Sequence, residues 1–282
     1  MSDDEFMILL FSLAAAVAGA VTLAASRLHG FHTHANAGIG LHRVVVVLAL
    51  LWTLWVIHYH GDASITGIYV FFYLVMAYAV VKIFGQLLGP KALGFNVRRE
   101  AFVGRNLPVA LFTGSLALAT GLLIGGSLWG EADPLTDDEG GWWIPFGFFL
   151  MGWVLLIAVT WLYVRRSDGR FRVQLRREHD LRAATTGAVF VLASTTLILQ
   201  GVAGDFWGWR EGLLSMGTIA AMLVGHELIA RHVEQSEETV AGPVHAARIN
   251  LLEQGLYISL AIAGWLASRW IAGQYTQPLA GG

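Results

Sequence analysis

The sequence predicts an all-α, polytopic membrane protein, with eight transmembrane helices set out as four repeated helix pairs in one membrane domain, residues 1–282. Three observations predict it. Hydrophobic residues make up 56% of the chain and charged residues 13%, with a mean hydropathy of +0.60, whereas a soluble domain carries about 25% charge. Apolar stretches of the length a helix needs to cross a bilayer, about 20 residues, recur along the whole chain. The connections between them alternate between basic and acidic. Helices are the expected form because a backbone in lipid must satisfy its own hydrogen bonds.

The elements follow in order. The first span, 6–27, succeeds the acidic stretch Met1-Ser2-Asp3-Asp4-Glu5. That stretch lacks the positive leading segment of a secretory signal, so 6–27 is read as a retained helix. The second, 42–60, opens at His42-Arg43 and stops before Gly61-Asp62. The third, 65–88, is expected to end at Gly89-Pro90. The fourth covers 105–128. The fifth, 142–164, lies between Asp133-Pro134 and Asp168-Gly169. The sixth, 183–203, stops at Gly204-Asp205; the seventh, 209–231, and eighth, 247–271, flank Gly242-Pro243. Taken in pairs they give units 6–61, 65–130, 142–208 and 209–271.

The charges fix an expected orientation. Of the 18 Lys and Arg, 16 fall in the connections 27–43, 82–105, 165–182 and 231–248, leaving only Arg210 and Arg269 on the opposite side. The opposite side is acidic, above all Glu131, Asp133, Asp137, Asp138 and Glu139. Positive charge stays cytoplasmic. The four basic connections are therefore expected inside an inner (plasma) membrane, with both chain ends outside. An odd number of spans would break the alternation.

The repeat is visible in two ways. Arg98-Arg99-Glu100 precedes Trp129-Gly130 as Arg176-Arg177-Glu178 precedes Trp207-Gly208, an offset of 78 residues. The second helix of each unit also starts with an Arg (Arg43, Arg105, Arg182, Arg248) near small residues: Asn36-Ala-Gly38-Ile-Gly40, Asn106-Leu-Pro108-Val-Ala110, Ala183-Ala-Thr-Thr-Gly187-Ala188, and Ala246-Ala247. Small residues let helices approach closely in lipid. The pattern Gly104-Arg-Asn106-Leu-Pro-Val-Ala110-Leu-Phe-Thr-Gly114, continuing to Gly125-Gly126, resembles the bacterial domain-of-unknown-function 350 family, inner-membrane proteins built from helix pairs with short basic loops. The match is closest over 70–130, looser over 148–208 and 210–270, and poorest over 6–61. The usual family member has two units. The resemblance implies an inner-membrane protein with no assigned activity and carries over no catalytic residue.

Candidate chemistry is sparse. Cysteine is absent, which excludes disulfides, thiolate metal sites and thiol catalysis. No phosphate-binding loop, dinucleotide fingerprint, H-E-x-x-H or G-x-S-x-G occurs, so no catalytic residue is assigned and enzymatic function is not expected. His29, His32, His34 and His42 crowd the first basic connection. Imidazole ligates Zn, Cu or Ni, so a metal or haem site is one reading and a polar interfacial loop the other. His58 and His60 lie at the far end of the second span, roughly 24–27 Å away, and cannot share a mononuclear site with His42. His226, Glu227, Arg248 and Glu253 are expected at similar depths on the last two spans. Ionisable groups there form either a proton or cation path or a structural ion pair. The connection 165–182 carries seven Arg, and Arg165, Arg166, Arg170, Arg172, Arg176 and Arg177 could contact anionic lipid or an acidic partner. Eleven tryptophans include Trp129, Trp142, Trp143, Trp207 and Trp209 at the expected outer interface, where an aromatic belt sits. The expected role is a channel-like, transport-like or scaffolding subunit of a homo- or hetero-oligomer among membrane lipids, without nucleic acid. The alternative is a redox, metal- or haem-binding membrane protein.

Overall fold

The computed structural model describes residues 36–63, 65–130, 143–166, 170–204 and 216–227, with isolated helical positions between 6 and 19 and at 213, 257, 259 and 262. Every regular element among them is helical. In order they are α1 (Ala37–His60), α2 (Ile68–Val80, continued by a π-helical stretch Val81–Leu88 and a last turn Gly89–Ala92), α3 (Val97–Val103, π-helical), α4 (Leu107–Gly126), α5 (Trp143–Arg166), α6 (Arg170–Arg176) and α7 (Leu181–Val202). Among the described residues five helices are long and apolar enough to cross a membrane: Ala37–His60, Ile68–Ala92, Leu107–Gly126, Trp143–Arg165 and Leu181–Val202. They coincide with expected spans two to six. The expected first, seventh and eighth spans lie largely outside the described residues. Ser12 Oγ donates to the Phe72 carbonyl and Gly19 lies against Tyr78, so those two positions of the first span meet α2.

Two boundaries differ from expectation, each for a local reason. α1 begins at Ala37 rather than 42, because the Asn36 side chain accepts from Gly38 N (3.0 Å) and Ile39 N (3.3 Å) and so satisfies two amides of the first turn. Gly89-Pro90 does not end the third span. Pro90 occupies the first turn of Gly89–Ala92, where its missing N–H costs nothing. The chain turns instead at Leu93-Gly94, where Gly94 adopts φ 81, a conformation that glycine tolerates.

α1, α4 and α7 lie side by side and run in the same direction. Their starts share a device. Asn36, Asn106 and Asp180 each cap a helix with a side-chain oxygen. The two asparagines do more, because an amide also donates. Asn36 Nδ2 reaches the Phe102 carbonyl at 2.6 Å, and Asn106 Nδ2 reaches the Leu175 carbonyl at 2.8 Å. Each cap thus grips the short helix that precedes the next one in the row. The far ends are tied in the same sense. Gly130 N donates to the His60 carbonyl and Gly204 N to the Trp129 carbonyl, both at 2.9 Å. Gly130 and Gly204 adopt φ 120 and 126. His60, Gly130 and Gly204 each follow their cap by 24 residues. The register between these helices is therefore 70 and then 74 residues, not the 78 suggested by the basic and tryptophan pairs.

α4 is the most enclosed of the five described spans, with 78% of it buried. Glycine allows this. A Cβ on Gly125 would lie 2.5 Å from Trp52, one on Gly121 would fall on Ala49, and one on Gly85 would lie 2.8 Å from the Ala117 backbone. Such contacts replace the hydrophobic effect as the source of helix cohesion in lipid. The hydroxyls of Thr53, Thr113, Thr120, Thr160 and Thr195 donate to carbonyls of their own helices, so the core carries little unsatisfied polarity. Across α7, Phe190 meets Tyr257 with ring centroids 5.0 Å apart.

Candidate functional site

Among the described residues two of the basic connections, 93–106 and 170–180, meet at one end of the bundle. The Arg176 guanidinium makes a two-pronged bond to Glu100, Nε to Oε2 at 3.1 Å and a terminal nitrogen to Oε1 at 2.8 Å, and also donates to the Gly94 carbonyl. The same guanidinium lies over Phe95, 5.2 Å from the ring centroid. Arg172 rests against Gly94 with its Nε buried and unbonded. Together with the Asn106–Leu175 bond these contacts join 93–106 to 170–180. The outer surface of this end exposes Arg43, Lys91, Arg98, Arg99, Arg105, Arg170, Arg177 and Arg182. Arg165 stacks over Trp161, 4.0 Å from the centroid, and Arg166 is the last residue of α5. The six arginines expected to act together thus separate. Arg176 and Arg172 hold the platform together, Arg165 packs on its own helix, and Arg170 and Arg177 point outward.

A chain of polar groups runs beneath the platform. His42 is 2% exposed and sits between α1 and α4. Its Nε2 lies 3.2 Å from Thr113 Oγ1, whose own proton goes to the Val109 carbonyl at 2.7 Å, so Nε2–H is the donor of the pair. Nδ1 is buried without a hydrogen-bond partner among the described residues. Phe102 packs edge-on against the ring at 5.2 Å. Gln86 Nε2 reaches the His42 carbonyl at 3.5 Å and Gln86 Oε1 accepts from Lys82 Nζ at 3.0 Å. Lys82 also lies over Tyr78, 5.7 Å from its centroid. Lys82 is the one charged residue of 68–90, which is the signal that sequence reasoning passed over by assigning it to a connection.

Of the histidine cluster only His42 lies among the described residues. His42 turns inward to Thr113, and His29, His32 and His34 lie outside the described residues. No group of three or more His, Cys, Asp or Glu able to hold a metal ion occurs among the described residues. At the expected outer end, His60 stacks on Trp129 at 3.8 Å and joins Trp52 and Trp55 in an aromatic cluster. The other acid–base candidates are half in view. His226 Nδ1 lies 3.3 Å from Glu227 Oε1, Glu227 is buried, and the His226 ring meets Tyr257 at 5.4 Å. Arg248 and Glu253 lie outside the described residues.

Comparison of the chain with protein-family models, with curated proteins and with solved structures finds no match in any of the three. The geometry shows a helical membrane-type protein, and its function rests on the residues alone.

Proposed function

We propose that this chain is a multi-pass inner-membrane protein of the domain-of-unknown-function 350 type and acts as a framework subunit of a membrane complex, with its basic end facing the cytoplasm. The carrying observation is the cross-bonding of the basic connections. Arginines that served only to set orientation would need nothing more than their charge. Here Arg176–Glu100, Arg176–Gly94 and Asn106–Leu175 hold two connections as one surface. A fixed array of cations suits docking of an acidic partner more than a loose tether does. The interior supports the same reading, since close glycine contacts fill the space between α1, α4 and α7. Catalysis is not part of the reading.

Two experiments test it. Orientation is read by cysteines introduced at Arg99 and Leu135. An impermeant maleimide added to intact cells should label position 135 and spare position 99; the reverse overturns the orientation. The framework role is read on native gels of membranes solubilised in mild detergent. Replacing Arg98, Arg99, Arg170 and Arg177 by Gln should leave the chain folded and lower the mass of its complex. An unchanged mass with the variant folded removes the platform reading.

A second reading, an ion or proton path, draws on Glu227, buried beside His226. It expects proton or cation flux in reconstituted vesicles that Glu227→Gln abolishes. The metal or haem alternative retains only His29, His32 and His34 as possible ligands from the first connection. Metal analysis and an absorbance spectrum of the purified protein decide it.

A further inference from the structure

Two arginines of α6 converge on one residue of the neighbouring connection, and only one of them is neutralised. Arg172 and Arg176 stand one helical turn apart, and both reach Gly94. Arg176 is engaged by Glu100, the Gly94 carbonyl and the Phe95 ring. Arg172 is not. A Cβ on Gly94 would lie 3.3 Å from its Cζ and 3.5 Å from both Nε and Nη2, so the guanidinium fills the space that the missing side chain leaves. Gly94 adopts φ 81, which favours glycine there and keeps that space open. The Arg172 Nε is buried without an acceptor, and among the described residues no carboxylate pairs with this guanidinium. The joint therefore carries two guanidinium charges and one carboxylate. A guanidinium does not shed its proton, so the missing element is an anion. Of the three nitrogens only Nε is sealed, which leaves the two terminal ones as a fork that an anion meets end-on.

The level of the fork says which anion. Asn106 caps α4 where its apolar span begins, and its amide donates to the Leu175 carbonyl at 2.8 Å. Arg172 is three residues from Leu175, about 4.5 Å along α6. The headgroup layer on each side of the hydrocarbon is about 5–8 Å deep. Arg172 thus stands at the level of lipid phosphates. Val173 beside it and Val103 on α3 are exposed large apolar residues, as suits the edge of the hydrocarbon. Lys91, whose carbonyl accepts from Gly94 N at 3.0 Å, is exposed at the same joint and adds a further cation. A phosphate has oxygens enough to accept from the fork and from a second cation together, and a net-anionic headgroup is drawn most strongly to such a surface.

We infer that Arg172, set in place by Gly94, is the receptor for a phosphate group, supplied by anionic lipid of the leaflet at the basic end. The inference needs the chain to be embedded in a membrane and does not depend on the framework role.

The test uses the full chain, purified in mild detergent and stripped of lipid. Phosphatidylglycerol, phosphatidylcholine and inorganic phosphate are the probes; native mass spectrometry and thermal stability are the readouts. Wild-type protein should bind phosphatidylglycerol about 10-fold more tightly than phosphatidylcholine, and Arg172→Gln should remove that preference, the loss of a charge-assisted contact. Gly94→Ala keeps every charge but fills the space the guanidinium occupies, and should weaken phosphatidylglycerol binding in the same direction. Arg177→Gln, an exposed cation just past α6, should keep the preference. If Arg172→Gln does not fold, Arg172→Lys, which retains the charge and loses the fork, takes its place and should also bind more weakly. Wild-type lipid affinity in the folded Arg172 variant overturns the receptor, and so does an equal loss in Arg177→Gln, which would mean diffuse charge. Equal stabilisation by inorganic phosphate overturns lipid as the source. A lighter complex on the native gel for Arg172→Gln, with lipid binding unchanged, assigns the fork to a protein partner and overturns the inference while leaving the framework reading intact.

Discussion

Asn106 offers the sharpest test of how the helices are held in register. Its side chain does two jobs at 5% exposure: Oδ1 accepts from Val109 N at 3.0 Å, and Nδ2 donates to the Leu175 carbonyl at 2.8 Å. Replacing it by Ala removes a helix cap, costing about 1 kcal/mol. It also leaves a buried carbonyl without its donor, costing about 1–3 kcal/mol more. Asn106→Ala should therefore destabilise by about 2–4 kcal/mol, the sum of these two effects. Asp180 isolates the first effect, since its carboxylate caps through Arg182 N and Ala183 N; Asp180→Ala should cost about 1 kcal/mol. Asn106→Ser restores a cap acceptor but is too short to grip Leu175, and should fall between them. The measurement is unfolding free energy in mixed detergent micelles. Equal losses for Asn106→Ala and Asp180→Ala would show that the cross-connection bond contributes nothing, and the account of register would fail.

Other perturbations probe different contacts. Gly121→Val should break the α1–α4 pairing, by more than about 3 kcal/mol, because the added Cβ falls on Ala49, whereas Gly40→Ala should be neutral or stabilising by up to about 1 kcal/mol because nothing lies within 4 Å. Circular dichroism during thermal unfolding compares the two. Arg176→Gln should cost at most about 1 kcal/mol, and less at high salt, because the Arg176–Glu100 pair is 37% and 21% exposed. A salt titration of the unfolding midpoint reads that trend. His42→Phe should be nearly neutral, because the helix position six residues after the cap is already Phe112 in α4, and the Thr113 hydroxyl keeps its bond to Val109. A loss of several kcal/mol would give the His42–Thr113 bond a larger role than its geometry indicates.

The spans were legible because membrane helices announce themselves by composition over about 20 residues. The five described ones fall where the apolar runs are. The register was not. A basic residue needs only to reach the interface, so Arg98-Arg99-Glu100 lies inside α3 while Arg176-Arg177-Glu178 runs off the end of α6, and aligning them gives 78. A cap cannot slide in this way, since its oxygen must meet particular amides. Asn36, Asn106 and Asp180 were the better markers: each caps its helix, and 24 residues on, His60 accepts from Gly130 while Gly204 donates to Trp129 at the far end. The bonds from Asn36 to Phe102 and Asn106 to Leu175 span 66 and 69 residues, and no local pattern could reveal them. Of the candidate site, Lys82 was legible in principle as a lone charge in an apolar run. The inward turn of His42 was not, because its partner Thr113 is 71 residues away.

Counting from the caps also shows where the row of helices stops. Positions 8, 15 and 19 after the cap are Gly114, Gly121 and Gly125 in α4, the face that receives α1. In α7 they are Ala188, Thr195 and Leu199, of which Ala188 and Thr195 are buried and Leu199 meets Gly126 of α4. In α1 they are Val44, Leu51 and Trp55, which are 56%, 56% and 40% exposed. Small residues at these positions permit a neighbour at close range, and large apolar ones forbid it. α1 therefore presents bulk where its counterparts present room, and its leading face is finished against lipid. At the other edge Phe190 of α7 already meets Tyr257, so the row continues in that direction within the chain. A second copy cannot extend the row through α1 by the contact that joins α1 to α4. An oligomer must assemble through a different surface, and small-residue substitutions at Val44 and Leu51 are the changes that would open this one.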